Sequence, residues 1–177
     1  MKRLTISLLV GMACLAGAEA RAQAWGNLSD VLAVSLPALA GFTSLRNDDQ
    51  AGTAQLALTL AGTLVSAEAL KSQVHATRPD GSGTDSFPSG HTAIAFASAR
   101  FIHKRYGDDI SPTLLYGAAA LTAAARVQAN RHYWGDTAAG AALGFAMAEY
   151  FTDVKRDQTL SVWPAPGGFA LSWRRNW

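Results

Sequence analysis

The chain has 177 residues, a formal net charge of +2 and 49% hydrophobic residues. This length suits one domain with a single core and excludes two full-sized domains. Its 15 Lys and Arg residues are scattered, so the composition gives no sign of nucleic-acid binding, and an acidic substrate would have to be recognised by a local cluster.

The first 24 residues have the order of a secretory signal peptide. A basic start, "MKR", precedes an apolar stretch that ends at Ala16, and small residues suited to cleavage end at Ala22 or Ala24. An uncleaved membrane anchor is the alternative, but the apolar stretch is shorter than the roughly 20 residues that a span needs. The only cysteine, Cys14, lies here, so the mature chain would have no thiol or disulfide chemistry. We therefore predict a leader at residues 1–24 and export to the bacterial periplasm.

Five helices are predicted after the leader, because apolar stretches alternate with polar, Gly or Pro punctuation. The first begins at a Ser29 or Asp30 cap, runs to about Leu45 and has a kink or break at Pro37. The others run over about 52–71, 89–106, 112–129 and 137–151, with Pro112 in the first turn of the fourth helix and Asp136 as the cap of the fifth.

The fold class that follows is all-α, an antiparallel helical bundle. The bundle domain is expected over residues 25–157, and residues 158–177 are expected to form a short hairpin or an extended tail. Short connections make consecutive helices antiparallel, so the ends of the second and fourth helices meet the starts of the third and fifth. The opposite end carries "RNDDQ", "HKRYGDD" and "DVKRDQ", which we interpret as ordinary solvated turns.

Seven polar residues from distant segments are predicted to meet at the first end: Lys71, Arg78, Ser89, His91, Arg126, His132 and Asp136. Three cations repel one another, so an anion is needed to offset the cost of bringing them together. Phosphate suits them, because guanidinium groups bind its oxygens bidentately and Lys adds a point charge. The Ser89-Gly90-His91 turn adds backbone N–H groups at a helix N-terminus.

Two histidines and a carboxylate complete a set of reactive groups. His132 and Asp136 are four residues apart, so on a helix the carboxylate can accept a hydrogen bond from one ring nitrogen while the other nitrogen faces the anion. His132 is then suited to act as a nucleophile, and His91 to protonate a leaving alkoxide.

Each residue taken alone has a simpler explanation. Arg126 and Lys71 could be helix-end charges, Asp136 only an N-cap, and His91 a packed or surface histidine. Their expected convergence favours the functional interpretation. We assign no function to four other basic sites: His75, His103, Arg131 and the pair Arg174-Arg175.

Three segments resemble the signature of the type 2 phosphatidic acid phosphatase and vanadium haloperoxidase superfamily. That signature is Lys-x6-Arg-Pro, then Pro-Ser-Gly-His, then Ser-Arg-x5-His-x3-Asp. Here the segments are "KSQVHATRP" at 71–79, "PSGH" at 88–91 and "ARVQANRHYWGD" at 125–136. The resemblance covers roughly residues 52–151, and Ala125 stands where the pattern usually has serine.

The resemblance implies a helical phosphatase that needs no metal or other cofactor and passes through a phosphohistidine. It implies His132 as nucleophile, Asp136 as its orienting partner and His91 as general acid. The phosphate would be held by Lys71, Arg78 and Arg126, with the Ser89 hydroxyl and the Gly90 amide.

The leading hypothesis is therefore hydrolysis of a phosphomonoester or pyrophosphate, with a lipid-linked substrate favoured. The alternatives are a vanadate-dependent haloperoxidase and a non-catalytic helical protein that binds a phosphate-bearing ligand. A metal site at His132, Asp136 and His91 is opposed by the surrounding cations. A mean hydropathy of +0.08 favours a soluble or peripheral exported enzyme, and an integral membrane protein with its active site outward is the alternative.

Overall fold

A computed structural model describes the backbone of residues 2–155, 158–165 and 168–175, and the side chains of residues 17–155. Five helices are followed by an antiparallel hairpin in which Gln158 pairs with Arg175 and Ala165 with Gly168. The elements are α1 Lys2–Arg46, α2 Gln50–Gln73, α3 Gly90–Tyr106, α4 Pro112–Gln128, α5 Trp134–Phe151, β1 Gln158–Ala165 and β2 Gly168–Arg175. The all-α prediction for the domain is confirmed, and the C-terminal segment forms the hairpin alternative.

Two predicted helix starts are wrong. The helix expected to begin at Ser29 or Asp30 is part of α1, which begins at Lys2 and continues through Pro37 without a break. Asp136 is not the cap of α5: the helix begins at Trp134, and Asp136 lies in its first turn, where its carboxylate accepts a hydrogen bond from the Tyr133 N–H at 2.9 Å. An acidic side chain in a first turn satisfies a free backbone donor and complements the helix dipole.

Helix α3 lies at the centre of the bundle and contacts each of the other four helices. Its alanines at 93, 95, 97 and 99 are fully buried, and Phe101 and Ile102 extend the core toward Leu115 of α4. Small side chains allow neighbouring helices to approach α3 closely on every side.

The closest approach is between α3 and α5. A Cβ added to Gly140 would clash with the Ser89 carbonyl, and one added to Gly144 would clash with the Ala93 carbonyl. Both glycines therefore permit backbone contact between α3, which begins at the "PSGH" turn, and α5, whose first turn holds Asp136.

The end of the bundle opposite the predicted site is not formed of ordinary solvated turns. The Arg105 guanidinium, 6% exposed, binds both carboxylate oxygens of Asp49 at 2.5 and 2.6 Å. Tyr106 donates to the same carboxylate at 2.9 Å, and Arg105 also donates to the Gln55 side chain and the Asp153 carbonyl. The three turn segments thus supply a buried polar network that ties α1, α2, α3 and the end of α5 together.

Candidate active site

The loop between α2 and α3 folds back over the start of α5. The Ser86 N–H donates to the Ala76 carbonyl at 2.9 Å, and the Ser89 N–H donates to the Asp136 carbonyl at 3.0 Å. The second of these bonds joins the second and third signature segments, which were predicted to meet at this end of the bundle.

A backbone carbonyl fixes the tautomer of His132. The Nδ1 atom of His132 lies 2.7 Å from the Ser86 carbonyl oxygen, which can only accept a hydrogen bond, so Nδ1 carries the proton. The other ring nitrogen, Nε2, therefore presents its lone pair toward the Arg126 guanidinium, whose Nη2 lies 3.5 Å away. The Arg126 Nη2–H donates to this lone pair over that long distance, so an anion that takes over the guanidinium would leave Nε2 free to attack it.

The predicted hydrogen bond from His132 to Asp136 is wrong. His132 Nδ1 lies 3.8 Å from Asp136 Oδ2, because the chain is not yet helical at His132 and the Ser86 carbonyl accepts the hydrogen bond from Nδ1. Asp136 instead accepts from the Ser86 hydroxyl at 2.5 Å and from the Tyr133 N–H. Asp136 therefore influences His132 in two ways: through Ser86, whose carbonyl binds the imidazole, and through the charge of its own carboxylate.

Burial, with the Arg126 charge as the next cause, lowers the pKa of His132 to about 4. The imidazole is 2% exposed and is faced by Arg126, Arg78 and Asp136. Burial disfavours the charged imidazolium, the two cations repel it, and the Asp136 carboxylate only partly opposes them. His132 is thus neutral across the physiological pH range.

Each predicted phosphate-binding cation has a carboxylate partner in the fold. Lys71 Nζ lies 3.2 Å from Glu68, and Arg78 binds both oxygens of Asp85 at 2.9 and 2.7 Å. The Arg78 pair lowers the pKa of Asp85. The cations are close enough for the Arg78 charge to contribute to the lowered pKa of Arg126, of which burial is the main cause.

Arg126 and His91 share one carboxylate, that of Asp30. Oδ1 of Asp30 lies 3.0 Å from His91 Nε2 and 3.3 Å from Arg126 Nη1. Arg126 is 7% exposed, and its Nε is buried without a hydrogen-bond partner among the described residues. Burial and the Arg126 charge lower the pKa of His91, whereas the Asp30 charge opposes that shift.

The "PSGH" turn has the predicted position at the start of α3. Ser89 is the N-cap of α3 and fully buried, and its hydroxyl pairs with that of Thr92 at 3.0 Å. Gly90 begins the helix, and a Cβ added there would lie 3.9 Å from Lys71 Nζ, so the lysine is beside the helix N-terminus. Ala125, at the usual serine position, is fully buried in α4.

A cavity of about 640 Å³ opens beside Arg126, His91 and Arg78. One wall comes from the N-terminal half of α1, and the facing wall comes from the loops that follow α2 and α4; the lining includes Glu19, Gln23, Asp30, Asp80, Asn130 and Arg131. Arg131, to which we assigned no function from the sequence, pairs with Asp80 at 3.3 Å on this wall. No cluster of three or more His, Cys, Asp or Glu side chains with metal-binding geometry occurs among the described residues.

Sequence reasoning missed Ser86, Asp85 and Asp30. Ser86 and Asp85 lie in the loop just before "PSGH", so their proximity to the site could have been inferred. Asp30 lies about 60 residues before the nearest other site member on α3, and it had been interpreted as a helix cap. Only the packing of α1 against α3 and α4 reveals its position.

Both the sequence and the fold of this chain are similar to those of known proteins. The chain is 44% identical over 75 residues to a lipid A 1-phosphatase of Porphyromonas gingivalis; the match covers 41% of this chain and 17% of that protein's length. The fold resembles the crystal structure of Aquifex aeolicus LpxE, with a TM-score of 0.53 and 23% identity, over 69% of this chain and 84% of that one. A transmembrane PAP2 type phosphatidylglycerolphosphate phosphatase from Bacillus subtilis aligns with a TM-score of 0.47 and 20% identity, over 78% of this chain and 84% of that one.

The family assignment follows from the family model that matches the chain. The PAP2 superfamily model matches residues 52–159, which is more than half of the chain and contains all three signature segments. The resemblance stated from the sequence is confirmed: the chain belongs to the PAP2 superfamily.

Proposed function

We propose that this protein is a phosphatase that hydrolyses a phosphomonoester or pyrophosphate through a phosphohistidine on His132. The observation that carries the proposal is the fixed tautomer of His132, whose Nε2 lone pair faces Arg126 while the Ser86 carbonyl holds the Nδ1 proton. The 44% identity over 75 residues to a lipid A 1-phosphatase supports the same reaction class.

The reaction we propose has two displacements. Lys71, Arg78 and Arg126 bind the phosphoryl oxygens, Nε2 of His132 attacks phosphorus, and the bond from phosphorus to the ester oxygen breaks. His91 donates a proton to that leaving oxygen. Water then attacks phosphorus and passes a proton to His91, the bond to Nε2 breaks, and inorganic phosphate leaves, which returns both histidines to their starting forms.

A lipid-linked substrate and association with a membrane are supported by the surface of the bundle. Two helical segments, Gly17–Arg46 and Gln50–Gln73, are long and apolar enough to cross a membrane, and only 28% and 22% of their most apolar windows are buried. Exposed apolar side chains on these helices include Val31, Val34, Phe42, Leu58 and Val65. A soluble bundle would bury more of this apolar surface. The exposed surface of these two helices is therefore suited to contact lipid.

The proposed orientation places the active site on the outer side of the membrane. Arg46, Lys104 and Lys155 lie at the opposite end of the bundle, which matches the tendency of cytoplasmic ends to carry basic residues. Export of the catalytic end, whether by a cleaved leader or by an uncleaved α1, is part of this proposal.

The proposal is tested by trapping the covalent intermediate. The full chain in detergent is mixed with a substrate carrying a labelled phosphate, quenched, and examined for acid-labile label on protein. His132→Ala should abolish both turnover and trapping, whereas His103→Ala, which changes a histidine in the last turn of α3 at the opposite end of the bundle, should retain both. Trapping that survives in His132→Ala would contradict the assigned nucleophile, and vanadate-dependent halide oxidation without phosphate release would contradict the reaction class.

A further inference from the structure

Asp30 brings a negative charge into a cluster that is proposed to bind a dianion. It lies on α1, outside the segment that the family model matches, and its single Oδ1 atom contacts both His91 and Arg126. Among the described residues, no other carboxylate forms an ion pair with both the proposed proton donor and a proposed phosphate-binding cation.

These contacts reproduce those that a substrate oxygen would make. In the proposed reaction His91 donates to the ester oxygen and Arg126 binds a phosphoryl oxygen, and the Asp30 carboxylate accepts from the same two side chains. The Arg126 contacts are long, at 3.3 Å to Asp30 and 3.4 Å to the Ser29 hydroxyl, and within the described part of the chain its Nε has no partner. A guanidinium held this loosely has donors left for a better acceptor.

The Asp30 side chain is free to withdraw. It is 60% exposed and lies at the wall of the cavity, whereas the Arg126 side chain is 8% exposed and fixed in α4. A phosphate that binds Arg126 would repel the adjacent carboxylate, so the two anions cannot occupy the same contacts at once.

We propose that Asp30 is a specificity-determining residue that competes with the phosphoryl group for His91 and Arg126. This inference rests on the proposed function. A phosphate ester with a large leaving group displaces Asp30, because contacts of the leaving group elsewhere in the cavity of about 640 Å³ add to the affinity of the ester. Inorganic phosphate lacks those contacts and is held weakly. The carboxylate thus favours esterified phosphate over the free product.

The test is the affinity for inorganic phosphate of the full chain in detergent, measured by titration calorimetry without any substrate. Asp30→Asn keeps the shape of the side chain and removes its charge, and it should tighten phosphate binding about tenfold, the effect of roughly 1.4 kcal/mol of lost repulsion. Orthovanadate, a second phosphate-shaped anion, should show the same gain. Inhibition of ester hydrolysis by phosphate should strengthen in parallel.

A matched control separates the specific contact from general charge. Glu19, which the unprocessed full chain retains, lines the same cavity but, among the described side chains, has no ion pair with His91 or Arg126, so Glu19→Gln should change the phosphate affinity less than twofold. Asp30→Ala provides a second variant, and thermal melting of each protein checks that it is folded.

The outcomes distinguish this inference from the proposed function. Tighter phosphate binding by Asp30→Asn in a protein that hydrolyses no phosphate ester would support the competition and contradict the phosphatase. Weaker or unchanged binding in both Asp30 variants would overturn the competition while leaving phosphohistidine trapping unaffected. An equal gain in Glu19→Gln would also overturn it, since the effect would then be one of net charge.

Discussion

At the scale of single residues, the site depends on which atom accepts the Nδ1 proton of His132. A carboxylate in that place would favour the imidazolium, whereas the Ser86 carbonyl fixes the same tautomer and adds no full negative charge. The imidazole is consequently oriented and kept neutral by its neighbours. Both properties suit a nucleophile.

The neutral state of His132 can be measured by its NMR titration. We expect a midpoint at about pH 4, and a higher midpoint in Arg126→Gln, because the Arg126 charge is the largest cause of the shift after burial. The unfolded chain binds this proton near 6.5, so the free energy of unfolding should fall as the pH drops from 6.5 to about 4, by roughly 3 kcal/mol. A midpoint near 6.5 in the native protein would contradict the assignment.

Ser86→Ala tests whether Asp136 acts through the serine. The substitution keeps the carbonyl that binds His132 but removes the hydroxyl that donates to Asp136. We expect kcat to fall about ten- to hundredfold with little change in KM, since hydrogen bonds to charged groups contribute about 1.5 to 3 kcal/mol. Ser35→Ala, whose hydroxyl donates to the Val31 carbonyl in its own helix, is the control and should leave kcat unchanged.

The residues of the site were largely predictable, but their partners were not. Spacing identified His132, His91 and Arg126, because a reactive side chain has a recognisable type. The acceptor for His132 is a main-chain carbonyl, which every residue possesses, so no sequence pattern indicates it. Asp30 shows the same limit, since its contact with His91 depends on how α1 packs.

At the scale of elements, the contact between α3 and α5 sets the position of the "PSGH" turn. Gly140 lies under the Ser89 carbonyl, and Gly144 lies one helical turn further along, under the Ala93 carbonyl. The Ser89 N–H also donates to the Asp136 carbonyl. The distance between the backbones of α3 and α5 at these glycines therefore determines how far the start of α3 lies from the start of α5.

Gly144→Ala should therefore destabilise the protein. The added methyl group clashes with the backbone of α3, and overpacking of this kind costs about 1 to 3 kcal/mol. Gly117→Ala in α4 is the matched control: nothing lies within 4 Å of its added Cβ, so the same change should raise stability by about 0.4 to 1 kcal/mol. Thermal melting of both variants checks that the two changes in stability have opposite signs. A Gly144→Ala protein as stable as the wild type would contradict the close contact between α3 and α5.

The order and type of the helices were predictable from apolar runs and breakers, with α2, α3 and α4 ending within a few residues of the predicted bounds. The errors have local causes. Ser29 and Asp30 are good caps, but the apolar pattern before them continues the helix in α1. At α5 the chain enters the helix at Trp134, so that Asp136 can accept from the Tyr133 N–H in the first turn.

At the scale of the whole molecule, the two ends of the bundle have different polar chemistry. The active-site end holds its cations in partly exposed pairs, whereas the opposite end buries Asp49 and Arg105 in a bidentate pair with Tyr106. The sequence of the second end consists of charged turn segments, which resemble solvated loops. Burial there follows from packing of four elements, which the local pattern does not encode.

The buried pair should support stability and not catalysis. Asp49→Ala leaves the Arg105 charge buried without its carboxylate, and we expect a loss of about 3 to 5 kcal/mol in the free energy of unfolding. The value of kcat at a temperature where the variant is folded should be unchanged. Glu149→Ala breaks exposed pairs with Arg100 and Lys104 and should cost less than about 1 kcal/mol, so chemical denaturation of the two variants separates the cases.

Helix α1 forms one wall of the cavity, so the proposed cleavage of a leader from the N-terminus would alter the site. Ala18, Glu19, Ala22 and Gln23 line the cavity, and the predicted cleavage points follow Ala22 and Ala24. Cleavage after Ala22 would remove three of these residues and leave Gln23 with a free ammonium group, positively charged at neutral pH, at the rim of the proposed anion-binding cavity. If the proposed leader is removed, the processed and unprocessed forms would differ in the width and charge of the entrance to that cavity.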